Sequence, residues 1–198
     1  MLAVWKTAAD VSQRERGCLA ALEIAHAVDA FNRDNPHKPL STRIGLHRGE
    51  MVLGTIRLGN ARHHRAIGDT INTANRIQAA NKALATRILV SLETLAGIDN
   101  LAYRVLGEFR LKGKTQAVSL CELVGRHDTL EVSTKELHEE FRAAVGAFRA
   151  HRLDEATEKF EALLSRHEND GPSRFYLAYC RNRVGQTVDP AWTGIVSV

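Results

Sequence analysis

The chain has 198 residues, 44% of them hydrophobic and 25% charged, an ordinary balance for one globular domain with an extension or for two small domains. Cys18, Cys121 and Cys180 are odd in number, far apart and without a C-x-x-C pair, which speaks against a disulfide framework or a zinc site and fits a reducing, cytoplasmic compartment. No apolar run is long enough to span a membrane, and no basic segment precedes the apolar Met1–Trp5, so neither a membrane segment nor a signal peptide is expected.

The net charge of +4 is unevenly spread. Residues 1–40 balance at zero, residues 41–126 carry 13 Lys/Arg against 6 Asp/Glu, and residues 127–198 carry 9 against 12. A basic middle segment suits an anionic partner such as a polyphosphate or a nucleic acid, and equally describes a solvated charged surface. Few aromatic residues accompany the basic ones and no nucleic-acid motif is present, so no nucleic-acid partner is expected.

In chain order, Met1–Trp5 reads as a short strand. Asp10–Asn35 reads as a helix capped by Asp10, with Cys18, Ala21, Leu22, Ile24, Ala25 and Val28 on one stripe. Ser41–Ile56 reads as a hairpin turning at Gly49, followed by a basic loop from Leu58 to Arg65. Thr70–Leu84 is a second helix, Arg87–Ser91 a buried strand and Leu92–Ala96 a short helix. Leu101–Lys112 and Gln116–Val124 form a further hairpin turning at Gly113-Lys114. The order β-α-β-β-α-β-α-β-β predicts an α+β sandwich. From Ser133 to Gly185 the pattern is helical throughout, over Leu137–Ala150, Leu153–Arg166 and Ser173–Arg183. The expected division is therefore 1–125, a linker at 126–132, a helical unit at 133–185 and a tail at 186–198.

The most specific stretch is Ile67-Gly-Asp-Thr-Ile-Asn-Thr-Ala-Asn-Arg76. Gly68-Asp69 turns the chain and Asp69 is expected to cap the following helix. Asn72 and Arg76 are four apart, so they share one face near a helix N-terminus, where anions are favoured. A guanidinium there suits a phosphate whose charge grows during a reaction. An ordinary capped amphipathic helix would carry the same pattern.

This stretch resembles the G-D-x-V-N-x-A-x-R motif of class III adenylyl and guanylyl cyclases. Arg43-Ile-Gly-Leu-His-Arg-Gly-Glu50 resembles that family's R-I-G-I-H-x-G-E segment, and Asn81-Lys82 with Thr86–Ser91 its helix-to-strand passage. Leu106-Gly-Glu-Phe-Arg-Leu-Lys-Gly-Lys114 and Val118–Leu123 resemble its L-G-x-x-x-L-K-G-K turn and closing strand. The resemblance covers residues 1 to about 125. It implies an incomplete ferredoxin-like (βαββαβ-derived) sandwich followed by a small all-α extension. It also implies a phosphorus-oxygen lyase that turns ATP, or GTP, into a 3′,5′-cyclic nucleotide and pyrophosphate with Mg²⁺ or Mn²⁺.

By that resemblance Asn72 orients the ribose, Arg76 stabilises the α-phosphate, and Lys112, with Lys114 second to it, contacts the terminal phosphates. Arg65 and Ala66 fall where the family reads the base. Arg65 departs from the family's Asp or Thr, since it can donate but cannot accept from the adenine amino group. His63-His64 is no metal pair, because neighbours on an extended segment diverge. The family's two metal-binding aspartates would precede this sequence, so no metal ligands are expected in it, and the start at Met1 reads as a truncated frame or an internal start.

Two readings follow. One is a cyclase half whose active form is a homodimer or a complex with a complementing cyclase subunit, inactive alone. The other is a non-catalytic regulatory half-domain acting through dimerisation. The parent protein could be membrane-tethered. The tail, with Phe141, Ala147-Phe148, Leu153–Ala156 and Phe160, resembles one tetratricopeptide-like hairpin. One such unit is too few for a solenoid, leaving a cap packed on the first domain or a protein-binding surface.

Overall fold

The first helix, α1 (Val11–Asp34), begins where Asp10 takes the N-cap and accepts the Ser12 N–H at 2.8 Å. The computed structural model describes residues 10–58, 61–183 and 192–198, with the side chains of residues 56–65 outside the description. Gly17, Cys18, Ala21, Leu22 and Ala25 form the buried stripe of α1, at the helical spacing the sequence predicts. The Met1–Trp5 run lies outside the described residues.

The strands are β1 (Ile44–Leu46), β2 (Val52–Leu58), β3 (Ala61–Ile67), β4 (Ile88–Ser91), β5 (Leu101–Arg110), β6 (Val118–Arg126) and β7 (Val196–Ser197). The helices after α1 are α2 (Asp69–Leu84), α3 (Leu92–Leu95), α4 (Val132–Arg149), α5 (Leu153–Arg166) and α6 (Gly171–Arg181). One sheet runs in the order β1-β4-β6-β5-β7, while β2 and β3 form a separate antiparallel ribbon. The β5–β6 hairpin is antiparallel, as its sequence predicts, with register shifts at Ala102/Tyr103 and Val105/Gly107. The class is α+β, as expected.

The expected Ser41–Ile56 hairpin is not what forms. Strand β1 pairs in parallel with β4, Ile44 opposite Ile88, whereas β2 pairs with β3, Val52 opposite Ile67. The basic segment expected as a loop therefore runs, from Ala61 onward, as a strand, and Arg65 sits opposite Gly54 in the ribbon.

Alternation along the strands sends their side chains to two cores. Ile88, Val90, Leu101, Cys121 and Leu123 pack under Cys18, Ala21, Leu22 and Ala25 of α1. Leu89, Leu106, Phe109 and Leu120 point the other way, into a core shared with Ile77, Ala80 and Leu84 of α2 and with α4–α6. Phe141, Phe148, Phe160 and Tyr176 of the extension are fully buried there, each contributing about 2–3 kcal/mol of apolar burial. All three thiols are buried and free. Cys18 and Cys121 lie in the α1 core and Cys180 in the other.

Polar contacts fix the extension to β5. Tyr176 donates its hydroxyl to the Leu106 carbonyl at 2.7 Å, beside the irregularity at Gly107. Gly107 has φ +129, and a Cβ there would lie 2.6 Å from the Tyr176 oxygen. Arg104, 4% exposed, binds Glu122 at 2.6 Å and Asp170 at 2.8 Å and lies over the Phe141 ring at 4.6 Å. Burial opposes ionisation of Asp170, yet the Arg104 guanidinium and the Ser173 N–H it caps hold its carboxyl below the usual range.

Candidate active site

Helix α2 is set on β1 by small residues and one amide. A Cβ at Gly45 would collide with the Gln78 nitrogen and the Ala74 carbonyl, so only glycine lets the helix come this close. Asn81, fully buried, donates to the Ile44 carbonyl at 3.0 Å and accepts from the Thr86 hydroxyl at 2.9 Å. At the other end Thr70 donates to the Glu50 carbonyl at 2.6 Å and lies against Gly49. Those three contacts fix where the first turns of α2 point.

Asp69 does not cap α2. Gly68 holds the N-cap position with no side-chain bond, and Asp69 is the first helical residue. Its carboxylate instead pairs with the Lys114 ammonium across the gap to the β5–β6 turn. Asp69 is well exposed, so the pair orients more than it stabilises. An acid in the first turn also suits the helix dipole.

Asn72 is exposed and Arg76 half-buried, one turn further along α2. Arg76 reaches the same turn that Lys114 does. A Cβ on Gly113, which has φ +73, would sit 3.3 Å from the Arg76 Nη2. The bare backbone at Gly113 thus lets the guanidinium lie against the turn. Lys112 is exposed on the near side of that turn, and its N–H donates to the Val198 carbonyl at 3.0 Å. The structure therefore brings Asp69, at the start of α2, and Arg76, in its middle, against the turn that carries Lys112 and Lys114, with Asn72 exposed on the helix. Ala66, half-buried, stands opposite Leu53 in the ribbon, and the Arg65 side chain lies outside the described ones.

His47 is a member of this neighbourhood to which the sequence assigns no role. Its Nδ1 is 2.9 Å from the Ser91 hydroxyl and 3.2 Å from Glu93. Burial pushes the imidazole below its ordinary value, Glu93 and Asp69 oppose the shift, and Lys114 adds to it. Its sequence signal is its place at the end of β1, two residues before Gly49-Glu50, the segment that Thr70 contacts. On the flank of α2 away from Gly113 lies a groove of about 420 Å³, lined by α1, β1 and residues such as Ile71 and Ala74.

Among the described residues no group of three or more His, Cys, Asp or Glu side chains could hold a metal ion, and Asp69 is engaged by Lys114. The described residues do not fit a metal site, so no step through a metal is assigned to them. No described helix is long and apolar enough to cross a membrane.

The α+β fold thus carries Asp69, Asn72 and Arg76 on α2 beside a β5–β6 turn that bears Lys112 and Lys114. Residues 3–124 match the adenylate and guanylate cyclase catalytic domain, and the chain belongs to that family. It is 32% identical over 130 residues to adenylate cyclase 1 of Rhizobium meliloti (strain 1021), covering 63% of this chain and 20% of that protein. It is 38% identical over 97 residues to retinal guanylyl cyclase 2 of Homo sapiens, covering 48% of this chain and 8% of that protein. The crystal structure of the adenylyl cyclase CyaB from P. aeruginosa aligns with a TM-score of 0.44 and 23% identity over 58% of each chain. The chain spans about a fifth or less of the length of these two curated relatives.

Proposed function

We propose that this chain supplies the sugar- and phosphate-facing half of an adenylyl cyclase site, and that a second cyclase subunit must bring the metal-binding carboxylates. In this reading residues 1–125 are a partial catalytic domain, 126–132 a linker, and 133–185 a helical, tetratricopeptide-like addition. The reaction closes ATP to 3′,5′-cyclic AMP. The ribose 3′-oxygen loses its proton and bonds to the α-phosphorus, the bond to the bridging oxygen breaks, and pyrophosphate leaves. Mg²⁺ or Mn²⁺, held by the partner, would supply charge neutralisation.

This chain's own residues bind and orient. The Asn72 amide hydrogen-bonds the sugar, and the Arg76 fork takes the growing negative charge on the α-phosphate. Lys112 grips the terminal phosphates, while Lys114, held to Asp69, contributes at longer range. The observation that carries the reading is the placing of the Arg76 guanidinium against Gly113, in the turn that bears both lysines.

The test is a cyclase assay with Mg²⁺ or Mn²⁺ and with ATP and GTP in parallel. The chain alone is expected to be silent. Mixed with a metal-competent cyclase that has alanine at its motif asparagine, it should restore cyclic AMP formation. Arg76→Ala should lower the restored rate about 100-fold or more. Robust turnover by the chain alone, or restoration that ignores Arg76, would overturn the assignment. Silence of the mixture would favour a non-catalytic regulatory half-domain.

A further inference from the structure

We infer that the C-terminal strand β7 with Val198 is a positioning element for the phosphate-facing turn, so that the helical extension governs where Lys112 stands. The inference rests on the reading of Lys112 given above and adds to it a segment, 196–198, that lies beyond the residues matching the family.

Strand β7 runs parallel to the end of β5, Val196 opposite Phe109 and Ser197 opposite Arg110. Val196 is fully buried in the core that contains Phe141, Phe148 and Tyr176 of α4 and α6. From that anchor the backbone alternates partners across the last residues of β5 and into the turn. The Val198 N–H donates to the Arg110 carbonyl at 3.1 Å, and the Lys112 N–H donates to the Val198 carbonyl at 3.0 Å.

The turn is otherwise held by the buried Leu111 that precedes Lys112, by the Arg76 guanidinium against Gly113, by the Lys114 N–H on the Leu111 carbonyl at 2.9 Å, and by the pair of Lys114 with the exposed Asp69. Lys112 itself carries an exposed side chain, so its backbone bond to Val198 sets where the ammonium originates. A backbone amide left to water samples more positions, and each additional position lowers the fraction of chains in which a flexible ammonium meets a phosphate. The extension grips the same strand again at the Leu106 carbonyl through Tyr176, so β5 is held beside its bulge by α6 and at its end by β7, whose Val196 sits in the core of the helical unit. Displacement of that unit would be felt at Lys112.

The probe is inorganic triphosphate titrated into the full chain and read by amide NMR shifts, which follow weak binding directly. Three variants are compared with the parent. One is Lys112→Ala, one ends after residue 195, and one is Val198→Pro, which deletes a single backbone donor and leaves Val196 in its core. Circular dichroism and melting are recorded for each. Lys112→Ala is expected to weaken triphosphate about tenfold, the scale of one charge-assisted contact. The truncated chain and Val198→Pro should each lose a similar share, and adding Lys112→Ala to Val198→Pro should cost little more. Exchange of the Lys112 amide should quicken in both strand variants while the Ile77 amide, inside α2, stays protected.

A Lys112→Ala chain that binds as the parent does overturns the site reading, and the role of β7 with it. If Lys112→Ala weakens binding but a folded Val198→Pro chain does not, or if the two losses simply add, the positioning role is wrong and the site reading stands.

Discussion

His138 on α4 shows how one side chain can tie the extension's attachment to pH. Burial pushes its imidazole down to about 4, the charge of Arg104 acts in the same direction, and Asp170 opposes them. Between pH 6.5 and about 4 the unfolded chain therefore takes up a proton that the folded chain refuses. Stability falls as pH drops through that window and is unaffected by His138 above it. Its side chain keeps some contact with water, so the loss is roughly 1–2 kcal/mol. His138→Gln should remove that share. Urea midpoints at pH 7 and pH 4.5 would show a smaller acid loss in the variant than in the parent, and equal losses would refute the assignment. His47 titrates with the same sign but remains in both proteins, so the difference isolates His138.

At the scale of elements, the bulge at Gly107 and the hydroxyl of Tyr176 are one joint. Gly107→Ala introduces a side chain at φ +129 and drives its Cβ to 2.6 Å from the Tyr176 oxygen. The expected cost is about 2–4 kcal/mol. Tyr176→Phe strands the Leu106 carbonyl and costs about 1–2 kcal/mol. In the phenylalanine background the alanine has no oxygen to meet, so the double variant should cost less than the two single losses combined. Strict additivity in urea unfolding would show that the two positions are uncoupled.

Which elements were legible in the sequence follows from the same local physics. Helix α1 announces itself because Asp10 caps it and its apolar stripe repeats at 3.6 residues. The β5–β6 hairpin is legible because both strands and the Gly113 turn are adjacent in sequence. Strand β1 misleads because its partner, β4, lies some 40 residues away, and no local pattern reports a parallel pairing. Strand β3, Ala-Arg-His-His-Arg-Ala-Ile, carries a strand backbone with a loop's composition, and its pairing with β2 is what makes it a strand. Asn72, Arg76 and Lys112 are visible as a motif. That Arg76 and Asp69 both reach the β5–β6 turn depends on how α2 packs on Gly45, and His47 joins the neighbourhood by the same packing.

For the molecule as a whole, the helical extension completes a core. Ile77, Leu89, Leu106, Phe109 and Leu120 share one cluster with Phe141, Phe148, Phe160 and Tyr176. Removing residues 127–198 would return those five sheet and helix side chains to water at about 1.5–3 kcal/mol each, a sum as large as the net stability of an ordinary domain. The full chain is expected to melt in one calorimetric transition, and a chain ending at Arg126 to show none. A sharp, independent transition for the shorter chain would mean that the extension is an accessory to an already stable domain.

The three sealed thiols turn this architecture into its own reporter. Burial raises Cys18 and Cys121 to about 12 and Cys180 to about 11, so almost no thiolate is present at neutral pH and an alkylating reagent reaches each sulfur only when its layer opens. Labelling clocks at Cys18 and Cys121 would time the parting of α1 from the sheet, and the clock at Cys180 the lifting of the helical layer on the opposite side. Any ligand or partner that tightens one layer and not the other would slow one clock and leave the other running.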